Sequence, residues 1–205
     1  MNAHTPPQPQ TPERALRCAL VGMPGAGKST VGRQLAQRMG VPFVDLDHHL
    51  EKQLGCSIRQ FFEAEGEERF RTLESEALAD IAQRPGGMVL STGGGAVLRP
   101  ENREVLRQFG NVLYLRASPE EIFKRVKHDK TRPLLQGGNP MGKLRDLYAQ
   151  RDPLYRETAH YVIETGRPSV STLVNMVMMQ LEMAQSAVVA APSTPGTEQP
   201  SDTAP

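Results

Sequence analysis

A glycine-rich loop, GMPGAGKST, lies at residues 22–30 and is the first candidate for a functional site. The loop matches the pattern G-x-x-x-x-G-K-[ST], between an apolar run typical of a strand and a stretch typical of a helix. Glycines let backbone N–H groups turn inward around an anion, and the positive end of the helix dipole adds to the attraction. Lys28 could hold the β- and γ-phosphates, and the Ser29 hydroxyl could bind Mg²⁺. The loop predicts nucleotide binding but leaves open which acceptor, if any, receives a phosphoryl group.

Two carboxylates, Asp45 and Asp47, follow a short apolar run that begins at Val41. This run predicts a second strand, and in open α/β sheets ligands bind at the carboxyl ends of the strands. We expect the two carboxylates to point to opposite sides of the chain. They should therefore have different roles.

Three consecutive glycines, Gly93 to Gly95, follow another predicted strand, Met88 to Thr92. Three glycines cost stability through lost chain entropy, and a plain turn seldom needs so many. Close approach of the backbone to a ligand explains them better than a flexible hinge does.

Further along the chain, residues 124–132 are strongly basic and lead into a Gly/Pro-rich stretch. A charge run of this kind is often only a solvated helix end. With a phosphate loop upstream, we interpret residues 124–140 as a lid that closes over phosphates.

Glu67 and Arg71 lie four residues apart on a predicted helix that ends at about Gln83. This spacing places both side chains on one helix face. On spacing alone, the pair is best interpreted as a surface ion pair of little consequence.

Strands that alternate with helices predict an α/β fold, here a five-stranded parallel sheet flanked by helices in three layers. Expected elements include helices at residues 28–39, 48–54, 67 to about 83 and 100–109, a last helix from Ser169 to Met183, and a fifth strand at residues 161–164. We expect a single folded domain at residues 14–185, with a substrate-binding region at about 46–74. The Pro-rich ends, residues 1–13 and 186–205, are expected to be disordered tails because they cannot bury enough apolar surface.

Composition narrows the function classes. The chain has 205 residues and a net charge of +1, which gives no argument for a nucleic acid or an acidic membrane as partner. No apolar run approaches the roughly 20 residues of a membrane span. The two cysteines, Cys18 and Cys56, form no disulfide framework. We expect a soluble cytoplasmic protein.

Taken together, these motifs resemble the shikimate kinase family, one of the nucleoside-monophosphate-kinase-like P-loop families. The resemblance covers nearly all of residues 16–181, and the order and spacing of its parts are highly specific. Its parts are GMPGAGKST at 22–30, FVDLD at 43–47, SIRQFFEAEGEERFRTLE at 57–74, STGGGAV at 91–97, RPLL at 132–135 and RDPLY at 151–155. The resemblance implies ATP-dependent phosphorylation of the 3-hydroxyl of shikimate, on the pathway to chorismate and the aromatic amino acids. It also implies a three-layer P-loop kinase fold with a mobile lid. We expect the protein to act as a monomer.

The resemblance assigns roles on the ATP side of the site. Lys28 and Arg132 would stabilise the transferred phosphoryl group, Ser29 would bind Mg²⁺, and Asp45 would act on the metal through water. Arg125 matches a position that covers the adenine, and Arg167 is a weaker adenine candidate because its loop is short. The whole set of expected ATP-binding residues is Gly22, Pro24, Gly25, Ala26, Gly27, Lys28, Ser29, Thr30, Arg125, Arg132 and Arg167.

The resemblance also assigns the acceptor side. Asp47 would bind the ring hydroxyls and orient or deprotonate the attacking one, while Arg71 and Arg151 would hold the carboxylate with their guanidinium forks. The resemblance thus implies that Arg71 binds the substrate and is more than half of a surface ion pair, with Glu67 as its orienting partner. The expected shikimate-binding residues are Asp47, Phe62, Phe70, Arg71, Gly93, Gly94, Gly95 and Arg151.

Other functions compete with this interpretation. A gluconate kinase also phosphorylates a hydroxylated acid, so the arginines alone do not exclude it, whereas the aspartate pair, the glycine triplet and RDPLY favour shikimate. A nucleotide kinase would need a base-reading set, which we do not find. A nucleotide-binding regulator without transferase activity is disfavoured by the acceptor-site Asp47 and the lid. A GTPase would need the guanine-reading Asn-Lys-x-Asp, which does not occur.

Overall fold

The computed structural model describes residues 17–127 and 139–189, with side chains described up to residue 183. Within these ranges the strands form one five-stranded sheet in the order β2-β3-β1-β4-β5, and all of its strand pairs are parallel. The strands are β1 (Arg17–Val21), β2 (Phe43–Asp45), β3 (Met88–Ser91), β4 (Asn111–Arg116) and β5 (Tyr161–Glu164). The predicted fold class is confirmed.

Helices connect the strands and cover both faces of the sheet. They are α1 (Lys28–Met39), α2 (Leu46–Leu54), α3 (Ile58–Glu65), α4 (Glu67–Gln83), α5 (Pro100–Phe109), α6 (Pro119–Val126), α7 (Pro140–Thr158) and α8 (Val170–Val189), with a 3₁₀ turn at Ala96–Leu98 before α5. Local sequence sets several of these ends. Gly40 ends α1 in the left-handed conformation, and Ser57 and Ser118 begin α3 and α6 with capping boxes.

The sheet separates two apolar cores. On one face, α1 and α8 pack through side chains such as Leu35 and Val174. On the other face, α2, α4, α5, α6 and α7 pack through side chains such as Leu50, Leu78 and Tyr155. Because all the strands are parallel, their carboxyl ends meet at one edge, where the phosphate loop follows β1, Asp45 ends β2 and the glycine triplet comes after β3.

Some element boundaries differ from the expected ones. Helix α8 extends to Val189, beyond the expected end at Met183, because no proline or glycine follows until Pro192 and the intervening residues include good helix formers such as Ala184. The predicted start of the C-terminal tail at residue 186 therefore falls within α8. The rest of that tail, the N-terminal tail at 1–13 and most of the predicted lid lie outside the described residues.

Within residues 17–127 and 139–189, no helix is long and apolar enough to span a bilayer.

Candidate active site

The phosphate loop is built around glycine geometry and an anchored lysine. Gly27 precedes α1 with a φ of 97°, which favours glycine, and a Cβ on Gly22 would come within 2.6 Å of the Leu115 carbonyl oxygen. The Lys28 ammonium group is largely buried and donates hydrogen bonds to the carbonyl oxygens of Gly22, at 2.8 Å, and Met23, at 3.1 Å. The loop thus holds a cation at the positive end of α1, as expected for a phosphate site.

Oxygen donors gather beside the loop. The Ser29 hydroxyl donates to Asp45 Oδ2 at 2.6 Å and lies 3.4 Å from the Ser91 hydroxyl. Asp45 also caps α2, because its Oδ1 accepts a hydrogen bond from the His48 N–H at 3.3 Å. Hydroxyl and carboxylate oxygens are the ligands that Mg²⁺ prefers, so Ser29 and Asp45 fit the expected magnesium position.

Asp47 occupies a different place from Asp45, although not for the reason expected. The prediction of opposite sides on an extended chain is wrong, because alternate residues of a strand share a face and because the strand ends at Asp45. Asp47 instead lies in the first turn of α2. The different surroundings of the two carboxylates therefore result from a change of secondary structure between them.

The Asp47 carboxylate packs against the glycine triplet. A Cβ added to Gly93 would collide with Asp47 Oδ1, so only glycine lets the backbone come so close. Burial raises the pKa of Asp47 to about 6; the Lys28 charge opposes this shift, whereas the Glu74, Asp45 and Glu51 carboxylates add to it. At neutral pH Asp47 is thus an ionised carboxylate with a raised proton affinity, which suits a general base.

Arg71 is held in a fixed position by two carboxylates on its own helix. Its Nη2 and Nε donate to Glu67 Oε1 at 2.7 and 3.1 Å, which confirms the expected orienting pair. Its Nη1 donates to Glu74 Oε2 at 2.7 Å, and the Glu74 side chain is fully buried. Burial raises the pKa of Glu74 while the Arg71 cation opposes that shift. The interpretation as a simple surface ion pair is wrong, because the Arg71 side chain is only 11% exposed.

The two phenylalanines predicted in the substrate pocket lie beneath Arg71. Phe62 and Phe70 contact each other edge to face, with ring centroids 4.8 Å apart. The Arg71 guanidinium carbon lies 5.8 Å from the Phe62 ring centre and 5.4 Å from the Phe70 ring centre. Both distances allow a cation–π interaction, so the rings form an apolar wall that also orients the guanidinium.

The glycine triplet brings the second arginine to the site. Arg151 Nη1 donates to the Gly94 carbonyl oxygen at 3.0 Å, and a Cβ on Gly95 would collide with the Arg71 guanidinium. Both arginines thus contact consecutive residues of one turn. On its other side, Gly94 packs against Pro24 of the phosphate loop, where a Cβ would lie 2.6 Å from the proline ring. The triplet therefore joins the phosphate loop to the arginine pair.

The expected adenine residues are brought together only in part. Arg125 donates to the Ala26 carbonyl oxygen of the phosphate loop at 3.3 Å and also contacts Thr165, which follows β5. Arg167 is exposed in the loop after Thr165. Arg132 lies outside the described residues, so its role stays a prediction.

Two residues of the candidate site were not predicted from the sequence. Glu74 lies three residues after Arg71 in the predicted helix, so the i, i+3 spacing could have revealed it. Tyr155 belongs to the RDPLY motif, yet no local pattern showed that its hydroxyl donates to the Gly94 carbonyl oxygen at 2.6 Å.

A phosphate loop that contacts a glycine turn bearing two arginines and the Asp47 carboxylate is typical of one class, the small-molecule kinases of the P-loop fold. The family model "Shikimate kinase" matches residues 24–182. A shikimate kinase of Ralstonia nicotianae is 53% identical over 179 residues, which cover 87% of this chain and 94% of the relative. One of Cupriavidus pinatubonensis is 58% identical over 165 residues, 80% of this chain and 85% of the relative.

Solved structures agree with these matches. The shikimate kinase of Acinetobacter baumannii, determined in complex with shikimate, superposes with a TM-score of 0.78 at 47% identity and covers 84% of this chain and 96% of its own. A gluconokinase of Sinorhizobium meliloti, at 16% identity and a TM-score of 0.55, shares the fold alone. The chain belongs to the shikimate kinase family. It is a kinase of aromatic amino acid biosynthesis, as the resemblance implied.

Proposed function

We propose that the protein transfers the γ-phosphoryl group of ATP to the 3-hydroxyl of shikimate, giving ADP and shikimate 3-phosphate. One observation carries this proposal: Gly94 packs against Pro24 on the donor side and accepts a hydrogen bond from Arg151 on the acceptor side. The ATP half-site, at the phosphate loop, and the acceptor half-site, at the glycine triplet and the arginines, are therefore in direct contact, as an in-line transfer between bound substrates requires.

The acceptor carboxylate would bind between Arg71 and Arg151. The contacts of Arg71 with Glu67 and Glu74 do not use all of its N–H donors, since a guanidinium carries five. Two donors remain, one on each terminal nitrogen, and guanidinium N–H donors of this kind suit a carboxylate. Fixed guanidinium groups lose little side-chain entropy on binding, so this geometry favours a small anionic substrate.

Asp47 would receive the proton of the attacking hydroxyl. Its raised pKa, about 6, makes it a better base than an ordinary aspartate while leaving it ionised at neutral pH. As the hydroxyl oxygen attacks the γ-phosphorus, its proton passes to a carboxylate oxygen of Asp47, and the bond to the β-phosphate oxygen breaks. Lys28, and Arg132 by expectation, would stabilise the negative charge on the transferred group and on the leaving ADP.

A magnesium ion fits the oxygen cluster beside the loop. Ser29 would bind it directly and Asp45 through water, and phosphate oxygens and further waters would complete the shell. The described residues contain no group of three or more His, Cys, Asp or Glu side chains that could hold a metal by itself, which suits an ion that arrives with ATP. When bound, Mg²⁺ would neutralise phosphate charge.

The remaining expectations are part of the same proposal. Arg125 and Arg167 would contact the adenine, and the segment at 124–140 would close over the phosphates. Gly93, Gly94 and Gly95 would bind shikimate or the γ-phosphate region through their amides. We also propose that the protein works as a monomer in the cytoplasm.

A coupled ADP-release assay tests the acceptor. The assay compares shikimate, gluconate and AMP at equal concentration, each corrected for ADP release with water as the only acceptor. Of the three acceptors, we expect only shikimate to give turnover far above this background. Turnover with gluconate or AMP but not with shikimate would overturn the assignment of the acceptor site, whereas no turnover with any acceptor would overturn the proposed reaction.

A further inference from the structure

A buried tyrosine, which none of the roles above uses, contacts the turn that joins the two half-sites. The Tyr155 side chain is fully buried, and its hydroxyl donates to the Gly94 carbonyl oxygen at 2.6 Å. Arg151 Nη1 donates to the same oxygen at 3.0 Å. A carbonyl oxygen has two lone pairs, so the two donors fill its hydrogen-bonding capacity.

The position of Tyr155 on α7 explains why both donors reach one acceptor. Arg151 and Tyr155 are four residues apart in this helix, so their side chains share a face. The Tyr155 ring is fixed by Tyr114, whose ring centroid lies 5.0 Å away. Burial also raises the pKa of Tyr155 to about 12, so the phenol stays protonated and keeps its hydrogen to donate.

The Gly94 peptide is confined from both sides. Pro24 of the phosphate loop packs against its α-carbon, and the Tyr155 hydroxyl and the Arg151 guanidinium hold its carbonyl oxygen. Arg151 in turn has a buried Nε with no hydrogen-bond partner among the described residues, so its contacts with the Gly94 carbonyl and with the Tyr155 hydroxyl hold the guanidinium in place. Loss of one donor would let both the turn and the guanidinium shift.

We propose that Tyr155 is a positioning residue for shikimate, because its hydroxyl fixes the Gly94 carbonyl and thereby the orientation of the glycine turn and of Arg151. This inference rests on the proposed function, in which that turn and Arg151 bind the acceptor. Tyr155 touches no substrate in this scheme. Its effect passes through Gly94 and should reach the acceptor more than ATP.

The test compares Tyr155→Phe with a matched control, Tyr114→Phe. Both changes remove one hydroxyl from a fully buried tyrosine and keep the ring. The Tyr114 hydroxyl, however, donates to Asp152 at 2.8 Å, away from the glycine turn. For Tyr155→Phe we expect the KM for shikimate to rise about three- to tenfold, with the KM for ATP within about twofold of wild type. For Tyr114→Phe we expect both KM values to stay within about twofold.

A double-mutant cycle with Arg151→Lys adds a second readout. If Tyr155 acts through the shared carbonyl, the effects of Tyr155→Phe and Arg151→Lys on the KM for shikimate should be less than additive. The inference is overturned if Tyr155→Phe behaves like Tyr114→Phe, if both KM values rise together, or if the two effects simply add. Failure of the wild-type protein to turn over or bind shikimate would instead refute the proposed function, and the inference with it.

Discussion

Replacing Asp47 with asparagine should make the folded protein more stable at pH 8, although it removes the proposed base. Burial raises the pKa of Asp47 from its ordinary value of 3.8 to about 6. Because the folded-state pKa is the higher one, ionisation of Asp47 destabilises the folded state, and this cost grows as pH rises from 3.8 to 6. The shift corresponds to a cost of at most about 3 kcal/mol at pH 8 and about 1 kcal/mol at pH 4.5. Asparagine carries no such cost.

Urea unfolding of wild type and Asp47→Asn at pH 8 and pH 4.5 measures this difference. Far-ultraviolet circular dichroism is the suitable probe, because the chain contains no tryptophan. The gain in the free energy of unfolding should be larger at pH 8 by up to about 2 kcal/mol. A variant that is less stable than wild type at pH 8, or whose gain does not shrink on acidification, would refute the account of Asp47 as a desolvated carboxylate.

Asp152→Asn is the control of opposite sign. Burial tends to raise the pKa of Asp152, but hydrogen bonds from Arg156, Tyr114 and Tyr148 outweigh it and hold this pKa below its ordinary value. Its carboxylate therefore stabilises the fold above the unfolded-state pKa, and this contribution is lost as pH falls through the folded-state pKa. Asp152→Asn should destabilise the protein about equally at pH 8 and pH 4.5, because both lie above the ordinary pKa of 3.8, and this destabilisation should shrink only below pH 3.8.

Three further substitutions separate the roles within the site. In steady-state kinetics, Arg71→Ala should raise the KM for shikimate at least tenfold with little change in the KM for ATP. In urea unfolding it should lower the free energy of unfolding by about 3 kcal/mol, because Glu74 is left buried and unpaired. Lys28→Ala should lower kcat by about 100-fold or more while calorimetry still detects shikimate binding. Gly93→Ala places a methyl group against Asp47, so kcat/KM for shikimate should fall while calorimetry still detects ATP binding. Unchanged shikimate kinetics in any of these three variants would contradict the role given to the replaced residue.

Local signals in the sequence predicted most of the scaffold. The predicted bounds of α1, α4, α5 and β5 agree with the structure, because glycine, proline and the change from helical to strand periodicity mark their ends. The start of α2 was placed too late, at His48. Asp45 is the N-cap of this helix, a role that aspartate favours, so the helix already begins at Leu46.

Contacts between distant segments were harder to predict. Glu74 lies on the buried face of α4, four residues from both Phe70 and Leu78, but its charge gave no sign that it would be buried beside Arg71 and the glycine turn. The Tyr155 hydroxyl and the Gly94 carbonyl are 61 residues apart in sequence, so only the assembled fold brings them together. Motif order predicted the arginines and the aspartates of the site, whereas the groups that hold them in place depend on tertiary packing.

Asp47 is proposed to serve the acceptor and not the nucleotide. Turnover of Asp47→Asn at saturating ATP and shikimate, measured together with ATP binding by calorimetry, tests this role. We predict that turnover falls by at least about 100-fold while the Kd for ATP stays within about twofold of wild type. Retained turnover would show that Asp47 is not the base, and loss of ATP binding would show a structural or metal role instead.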